Sequence, residues 1–204
     1  MAIPVRVSDD GGNYRYPPSR PRRNNTILVI IFTIIALFMS GIPTKLYNDI
    51  TVYRHEKIKN YLDQREQYFS SSDIQFKQVL NKVYQLKGTN ITQAIPDIQQ
   101  AKILILNNYQ STSKLKPPRA FQDLHEETLQ WYIQKNAAID YLEKAALSNS
   151  YNSNTLNIYI NEINRTLSNI QPKFIQGLQK EKLEYKINTD GSLVYWYKTY
   201  YEKY

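Results

Sequence analysis

An uncharged stretch of seventeen residues, Thr26 to Ile42 (TILVIIFTIIALFMSGI), constrains this chain more than any other feature. Ten of the twelve residues from Ile27 to Phe38 are Ile, Leu, Val or Phe, and each favours insertion into a bilayer by roughly 0.3 to 0.6 kcal/mol. No charged side chain opposes that sum. The stretch therefore predicts a transmembrane helix, slightly short for a hydrocarbon core of about 30 Å.

A buried core helix and a cleaved signal peptide are the two alternative interpretations of this stretch. A core helix normally keeps a polar stripe on its outer face, and the residues from Ile27 to Phe38 have none. Signal peptidase requires a pair of small residues next to the cleavage site, and neither Phe38 with Ser40 nor Met39 with Gly41 is a good pair. We therefore expect an uncleaved signal anchor over residues 26–42.

The residues before the stretch indicate its orientation. Residues 1–25 combine proline and glycine with polar side chains, which predicts a disordered tail. Arg20, Arg22 and Arg23 form a basic cluster directly before the anchor. Because positive charge stays on the cytoplasmic side, we expect a single-pass protein of the cell membrane, with a cytoplasmic N-terminus, an extracytoplasmic C-terminal region and the lipid bilayer as its first partner.

Charge and cysteine content exclude several classes of function. The chain has 26 Lys and Arg residues against 18 Asp and Glu, which is a net charge of +8. The basic residues alternate with acidic ones along the helical segments, whereas a nucleic-acid-binding protein usually concentrates them on one face, so we expect no nucleic acid partner. The absence of cysteine excludes disulfides, thiol catalysis and cysteine metal sites.

Residues 43–182 predict an extracytoplasmic helical bundle. Apolar and aromatic side chains recur at three- and four-residue spacing, which is the period of an amphipathic helix. Gly88, the pair Pro117-Pro118 and the polar residues 148–154 separate the runs. Since each run has one apolar face that must be buried, we predict an all-α fold, an antiparallel bundle of about four helices joined by short loops.

The sequence leaves open whether residues 44–87 form one helix or two. The polar joint Ser70–Asp73 interrupts the apolar pattern, and Ser72 or Asp73 could cap a new helix there. Such a joint does not forbid a continuous helix.

Residues 183–204 predict an aromatic C-terminal hairpin or tail. Apolar and polar residues alternate on both sides of Asn188–Gly191, which is the pattern of a short β-hairpin. Tyrosine and tryptophan are enriched in protein interfaces, so the aromatic residues are candidates for a partner surface. Packing of the hairpin on its own bundle is an equal alternative. The candidate interaction residues are Tyr195, Trp196, Tyr197, Tyr200 and Tyr201.

The sequence contains few residues that are typical of catalytic or metal-binding sites. The run His125-Glu126-Glu127 begins like a zinc-binding HExxH motif, but the second histidine is replaced by Leu129. No P-loop or nucleophile elbow occurs. Carboxylates are densest in α-helical sequence at Asp123, Glu126, Glu127 and Asp140, where a solvated helix face is the usual explanation. We therefore expect no metal, no cofactor and no enzymatic activity.

The segment from Pro117 to His125 resembles the Pro-Pro-x5-Leu-His turn and helix start of uncharacterised bacterial helical domains that are membrane-anchored or lipoprotein-like. The resemblance covers about ten residues and implies no specific activity. From the residues themselves, Pro117 and Pro118 end one helix and set the start of the next. We expect Phe121 and Leu124 to enter the core and His125 to hold the turn through a loop carbonyl.

These features together predict a membrane-anchored binding or scaffold module at the bacterial cell envelope, with another envelope or membrane protein as partner. A small-ligand sensor or an accessory subunit of a membrane complex is the alternative, and a hydrolase-like enzyme that uses carboxylates is the third. Partner identity and oligomeric state do not follow from the sequence.

Overall fold

The computed structural model describes residues 25–40, 42–86, 89–189 and 191–196. Short 3₁₀ turns cover Ile91–Ala94 and Arg119–Phe121. The chain forms two compact units that divide between Asp49 and Ile50, and all the packing described below lies in the second unit. The regular elements are α1 (Asn25–Met39), α2 (Ile42–Gln85), α3 (Ile95–Ser113), α4 (Gln122–Ser148), α5 (Ser153–Lys180), β1 (Glu184–Ile187) and β2 (Leu193–Trp196).

The uncharged stretch forms α1, which has 15 residues and ends at Met39. This differs from the transmembrane helix predicted over residues 26–42. Among the residues that the structure describes, no helix combines the length and the apolar character that crossing a membrane requires. The basic cluster of Arg20, Arg22 and Arg23 lies outside the described residues.

The polar joint does not interrupt α2, which is one helix of 44 residues. Ser72 is fully buried and accepts a hydrogen bond of 2.8 Å from the Asn108 side chain. Asp73 forms an ion pair with Lys135 instead of capping a helix. The joint is polar because it faces polar groups on other helices.

The order of contacts along α2 to α5 shows that neighbouring helices alternate in direction. The ion pair of Lys102 with Glu143 lies near the start of α3 and the end of α4. Near the end of α3, Thr112 donates a hydrogen bond to Tyr132, which lies in the first half of α4. Contacts between α4 and α5 run in the same antiparallel sense, whereas α2 lies parallel to α4. The predicted helical bundle is therefore confirmed.

Asparagine side chains and backbones position the joint between α4 and α5. Asn149 adopts the left-handed conformation after the last residue of α4, which is a common way to end a helix. The Asn152 side chain accepts hydrogen bonds from the backbone amides of Asn154 and Thr155. This N-cap satisfies amides that have no partner within the helix, so α5 starts within five residues of the end of α4.

A two-stranded antiparallel hairpin follows α5, as the alternation predicts. Tyr185 pairs with Tyr195 across the strands, and Glu184 pairs with Trp196. Gly191 lies in the turn at φ 81°, a conformation that glycine adopts at little cost. The Tyr195 ring packs edge-on against Phe174 of α5, with ring centroids 6.0 Å apart. The hairpin is thus attached to its own bundle through one of its faces.

The proline turn brings Phe121 against α5. Phe121 and Leu124 are fully buried, as predicted. A β-carbon at Gly177 would lie 2.5 Å from two ring carbons of Phe121. Gly177 therefore permits the close approach of α5 to the turn, although glycine inside a helix costs roughly 0.5 to 1 kcal/mol relative to alanine.

We predict that Gly177→Ala lowers the free energy of unfolding by about 1 to 3 kcal/mol, because the added methyl group overpacks the Phe121 ring. Chemical denaturation of the full chain, followed by circular dichroism, measures the loss. Asn161→Ala on the exposed face of the same helix is the matched control and changes stability little. A Gly177→Ala variant as stable as the wild type contradicts this explanation of the glycine.

Candidate functional site

A row of buried polar side chains runs between α2, α3 and α4 through the centre of the bundle. We refer to this row as the polar seam. It contains charged residues that are almost completely shielded from solvent, and nearly every member contacts a partner on another helix. The polar seam comprises Tyr61, Arg65, Ser72, Asp73, Asn108, Thr112, His125, Thr128, Tyr132 and Lys135.

Lys135 is the most deeply buried cation of the polar seam, with 1% of its side chain exposed. Its Nζ lies 2.7 Å from Asp73 Oδ1. The same nitrogen lies 3.7 Å from the centroid of the Trp131 ring and 4.7 Å from that of Phe76. Burial lowers the pKa of Lys135 to about 8, although the Asp73 hydrogen bond opposes this shift. One carboxylate and two aromatic faces therefore stabilise the ammonium.

The other half of this ion pair is Asp73. Burial alone would raise its pKa, but hydrogen bonds from Lys135 and Lys77 outweigh burial and lower it. Lys77 lies one helical turn away on α2 and is largely exposed, with its Nζ 2.7 Å from Asp73 Oδ2. Asp73 thus links a buried cation to an exposed one.

Arg65 is the second buried cation. Its Nε donates a 2.9 Å hydrogen bond to Thr128 Oγ1, and its guanidinium carbon lies 5.0 Å from the centroid of the Phe69 ring. Burial lowers its pKa, while neighbouring Tyr61 and Glu66 act in the opposite direction. Within the described residues, its Nη2 has no hydrogen-bond partner.

His125 connects α4 to α2 and not to a loop carbonyl, so the predicted contact was wrong. Its Nδ1 lies 3.4 Å from the Tyr61 hydroxyl. Burial lowers the pKa of His125, and burial raises the pKa of Tyr61 to about 12. Both shifts favour the neutral forms, so the pair acts as a structural contact between the helices at neutral pH.

An open groove of about 470 Å³ lies between α2 and the proline turn. We refer to it as the turn groove. Its floor is apolar and its rim carries three cations, while none of its ten lining residues is acidic. The lining residues are Arg54, Lys57, Ile58, Asn60, Tyr61, Gln64, Leu115, Lys116, Pro117 and Pro118. The two prolines singled out in the sequence are thus one wall of a surface groove.

A smaller depression of about 300 Å³ shares Arg54 with the turn groove. It is lined by Arg54, Arg119, Ala120, Lys180 and Glu181. Arg54 Nε lies 2.8 Å from Glu181 Oε2, and the Glu181 side chain is only 6% exposed. This ion pair holds the start of the bundle segment of α2 against the end of α5.

The hairpin separates two of the predicted interaction residues onto opposite faces. Tyr195 points to the bundle and packs on Phe174. Trp196 lies on the outer face with Val194, and these side chains are 43% and 50% exposed. The Trp196 indole Nε1 donates a 2.7 Å hydrogen bond to Glu184 Oε2. The remaining candidates, Tyr197, Tyr200 and Tyr201, lie outside the described residues.

The predicted carboxylate group does not converge on one point. Asp123 pairs with Lys180 at 3.5 Å, Glu127 accepts a hydrogen bond from the Asn169 side chain, and Asp140 pairs with Lys102. Lys180 and Asn169 lie eleven residues apart on α5, and Lys102 lies on α3. Over the part of the chain that the structure describes, no three His, Asp or Glu side chains gather where they could hold a metal ion.

The sequence analysis missed Lys135 as a core residue. Lys135 follows Thr128 by seven positions and precedes Leu142 by seven, and all three are buried. The seven-residue spacing from Thr128 to Lys135 and Leu142 therefore indicated that Lys135 is buried. It was overlooked because lysine is almost never fully buried unless it has a charged partner, and the partner lies 62 positions away.

Comparison with models of known protein families, with characterised proteins and with solved structures finds no match for this chain.

We predict that Asp73→Asn lowers the free energy of unfolding by about 3 kcal/mol, because it leaves the Lys135 ammonium buried without a counterion. Lys135→Met keeps the length of the side chain and removes the buried charge, so we expect a change below about 1 kcal/mol. Chemical denaturation distinguishes the two.

Lys77→Met is the control for this pair of variants, since it removes the exposed partner of Asp73 and costs at most about 1 kcal/mol. If Asp73→Asn and Lys135→Met lose the same free energy of unfolding, the proposal that an unpaired buried ammonium costs more than its removal is contradicted.

We predict that the wild type becomes more stable between pH 8 and pH 10, by about 2 kcal/mol. The unfolded chain holds the Lys135 proton up to about pH 10.5, whereas the folded chain releases it near pH 8, with burial as the cause. Stability rises wherever the unfolded state binds more protons. Denaturation curves at several pH values should show this rise in the wild type and not in Lys135→Met; the same slope in both would exclude Lys135 as its source.

Proposed function

We propose that the protein is a membrane-attached binding or scaffold module without catalytic activity, and that its partner is another envelope or membrane protein. The observation that carries the proposal is the outer face of the hairpin. There Trp196 is exposed but fixed in orientation, while the opposite face is attached to the bundle. An exposed and immobilised aromatic side chain offers contact area at a small cost in entropy.

The apolar side chains of α1 support attachment to a bilayer. Ile30, Phe32 and Ile34 are 52%, 67% and 48% exposed, and exposed apolar area costs about 25 cal/mol per Å² in water. Insertion of α1 into a bilayer removes this cost. With Arg20, Arg22 and Arg23 directly before α1, the proposed orientation keeps the N-terminus cytoplasmic and the bundle extracytoplasmic.

The interior of the bundle supports a surface role over catalysis. The buried cations Arg65 and Lys135 are engaged by carboxylate, hydroxyl and aromatic groups of the bundle itself. Burial leaves them inaccessible to a substrate, and the carboxylates of α4 have separate partners. A hydrolase that uses two facing carboxylates is therefore the least supported of the three predicted functions.

The turn groove favours a second candidate function, in which the bundle is a small-ligand sensor or an accessory subunit. Its volume of about 470 Å³ falls in the range of small-molecule sites, roughly 300 to 1,000 Å³. Tyr61 contributes to the floor of the groove and also contacts His125 in the polar seam. A ligand in the groove would therefore touch a residue of the bundle interior.

We predict that a photo-crosslinking amino acid at Val194 captures a protein partner in the native membrane, because Val194 lies beside Trp196 on the outer face. Trp196→Ala in the same background should reduce the captured product several-fold. The crosslinked product is identified by mass spectrometry.

Tyr84→Ala is the matched control, since Tyr84 is also an exposed aromatic residue, at 50%, and lies on α2. It should leave the product unchanged. Circular dichroism establishes that each variant folds. Capture that is absent, or that is equal in Trp196→Ala and the wild type, would rule out the outer face of the hairpin as the partner surface.

A further inference from the structure

The turn groove combines features that fit an anionic amphiphile. Cations stand at its rim and apolar side chains form its floor, so one end of a ligand meets charge and the other meets hydrocarbon. We propose that the turn groove binds the headgroup of an anionic phospholipid, with the glycerol and the first methylene groups on the floor. This inference rests on the membrane attachment proposed above and names a lipid as a second partner.

The rim supplies positive charge that lacks acidic partners within the groove. Arg54 already has Glu181 as its counterion, with its Nε 2.8 Å from Glu181 Oε2, so Lys57 and Lys116 carry the remaining positive charge of the rim. Lys57 Nζ lies 4.5 Å from the centroid of the Tyr53 ring. The ring is uncharged and does not neutralise the ammonium. Lys116 is exposed on the opposite wall. A phosphate between these walls would meet cations on both sides, each worth about 1 kcal/mol for an anionic lipid near the membrane.

The floor and the proline wall fit a lipid better than an acidic peptide. Ile58 and Tyr61 are buried beneath the groove, and Pro117 and Pro118 border it. Prolines have no backbone N–H, so this wall cannot pair with the backbone carbonyls of an extended peptide. A phosphodiester and a glycerol do not need backbone hydrogen bonds of this kind. The side-chain amides at the rim can donate hydrogen bonds to their oxygens.

The groove is formed without a ligand. Pro118 has φ −58° and ψ 145°, and the proline ring restricts φ to values near this one. Tyr61 is fixed from below by its contact with His125. A rigid wall and a fixed floor lower the entropy lost on binding.

The basic rim of the groove begins close in sequence to α1. Lys57 is only eighteen residues beyond Met39, the last residue of α1. Basic residues that closely follow a membrane-inserted segment interact with anionic lipids within about one Debye length of the surface. Among anionic amphiphiles, a membrane phospholipid is therefore the occupant that we propose.

Native mass spectrometry of the full chain, released from a neutral detergent, tests the proposal by counting bound phosphatidylglycerol. Lys57→Gln/Lys116→Gln removes two cations of the rim, and Asn60→Trp fills the groove without changing its charge. We expect each variant to bind phosphatidylglycerol about tenfold more weakly than the wild type.

Lys82→Gln/Lys144→Gln is the matched control, because it removes the same charge from exposed positions outside the groove, and it should bind like the wild type. Phosphatidylcholine should bind at least tenfold more weakly than phosphatidylglycerol. Equal binding of phosphatidylglycerol by all four proteins would overturn the proposal.

Competition experiments distinguish the lipid from other anions. Displacement of the lipid by inorganic phosphate at equal concentration would show that the groove takes free phosphate, and tighter binding of an Asp-rich peptide containing one Phe would show that it takes an acidic protein segment. Either result overturns the lipid proposal.

Flotation of the full chain with phosphatidylcholine vesicles tests membrane attachment separately, since it depends on α1 and not on the groove. Failure to float would reject the attachment, while lipid binding measured by native mass spectrometry still reports on the groove.

Discussion

The ion pair between Lys135 and Asp73 is the interaction on which the arrangement of the bundle depends. A buried ammonium with no counterion would be strongly unfavourable, so α2 must place the Asp73 carboxylate against α4 at this level. A shift of either helix by one turn, about 5.4 Å, separates the two groups. An apolar contact tolerates such a shift, because one isoleucine can replace another. The pair therefore adds a polar constraint on the register of the two helices to the constraint that apolar packing supplies.

The same argument explains what could be predicted from the sequence. Helical periodicity, the proline turn and the alternating C-terminal residues depend on local physical rules, and they predicted the bundle and the hairpin. The continuity of α2 and the burial of Lys135 depend on partners far away in sequence. Ser72 resembles a helix cap until Asn108 is known to face it. The two faces of the hairpin depend on Phe174, which the alternation alone does not identify.

A well-packed interior restricts the proposed binding function to the surface. Most polar groups inside the bundle contact one another, and burial keeps Arg65 Nη2 from a ligand although it has no hydrogen-bond partner. The proposed recognition therefore uses the groups that remain accessible, the rim of the turn groove and the outer face of the hairpin. These two surfaces differ in chemistry: one is cationic beside prolines, and the other is aromatic beside a carboxylate. The proposed membrane contact and the proposed protein contact would therefore use separate residues.

The parallel arrangement of α2 and α4 also has a consequence for the order of assembly. The joint between α4 and α5 spans few residues, whereas Asp73 and Lys135 are 62 positions apart. Contacts that are close in sequence close small loops and form faster than distant ones. We therefore expect the contact of Asp73 with Lys135 to form later than the contacts across the joint between α4 and α5. Until it forms, the Lys135 amine is solvated, and its water must be removed when α2 and α4 meet.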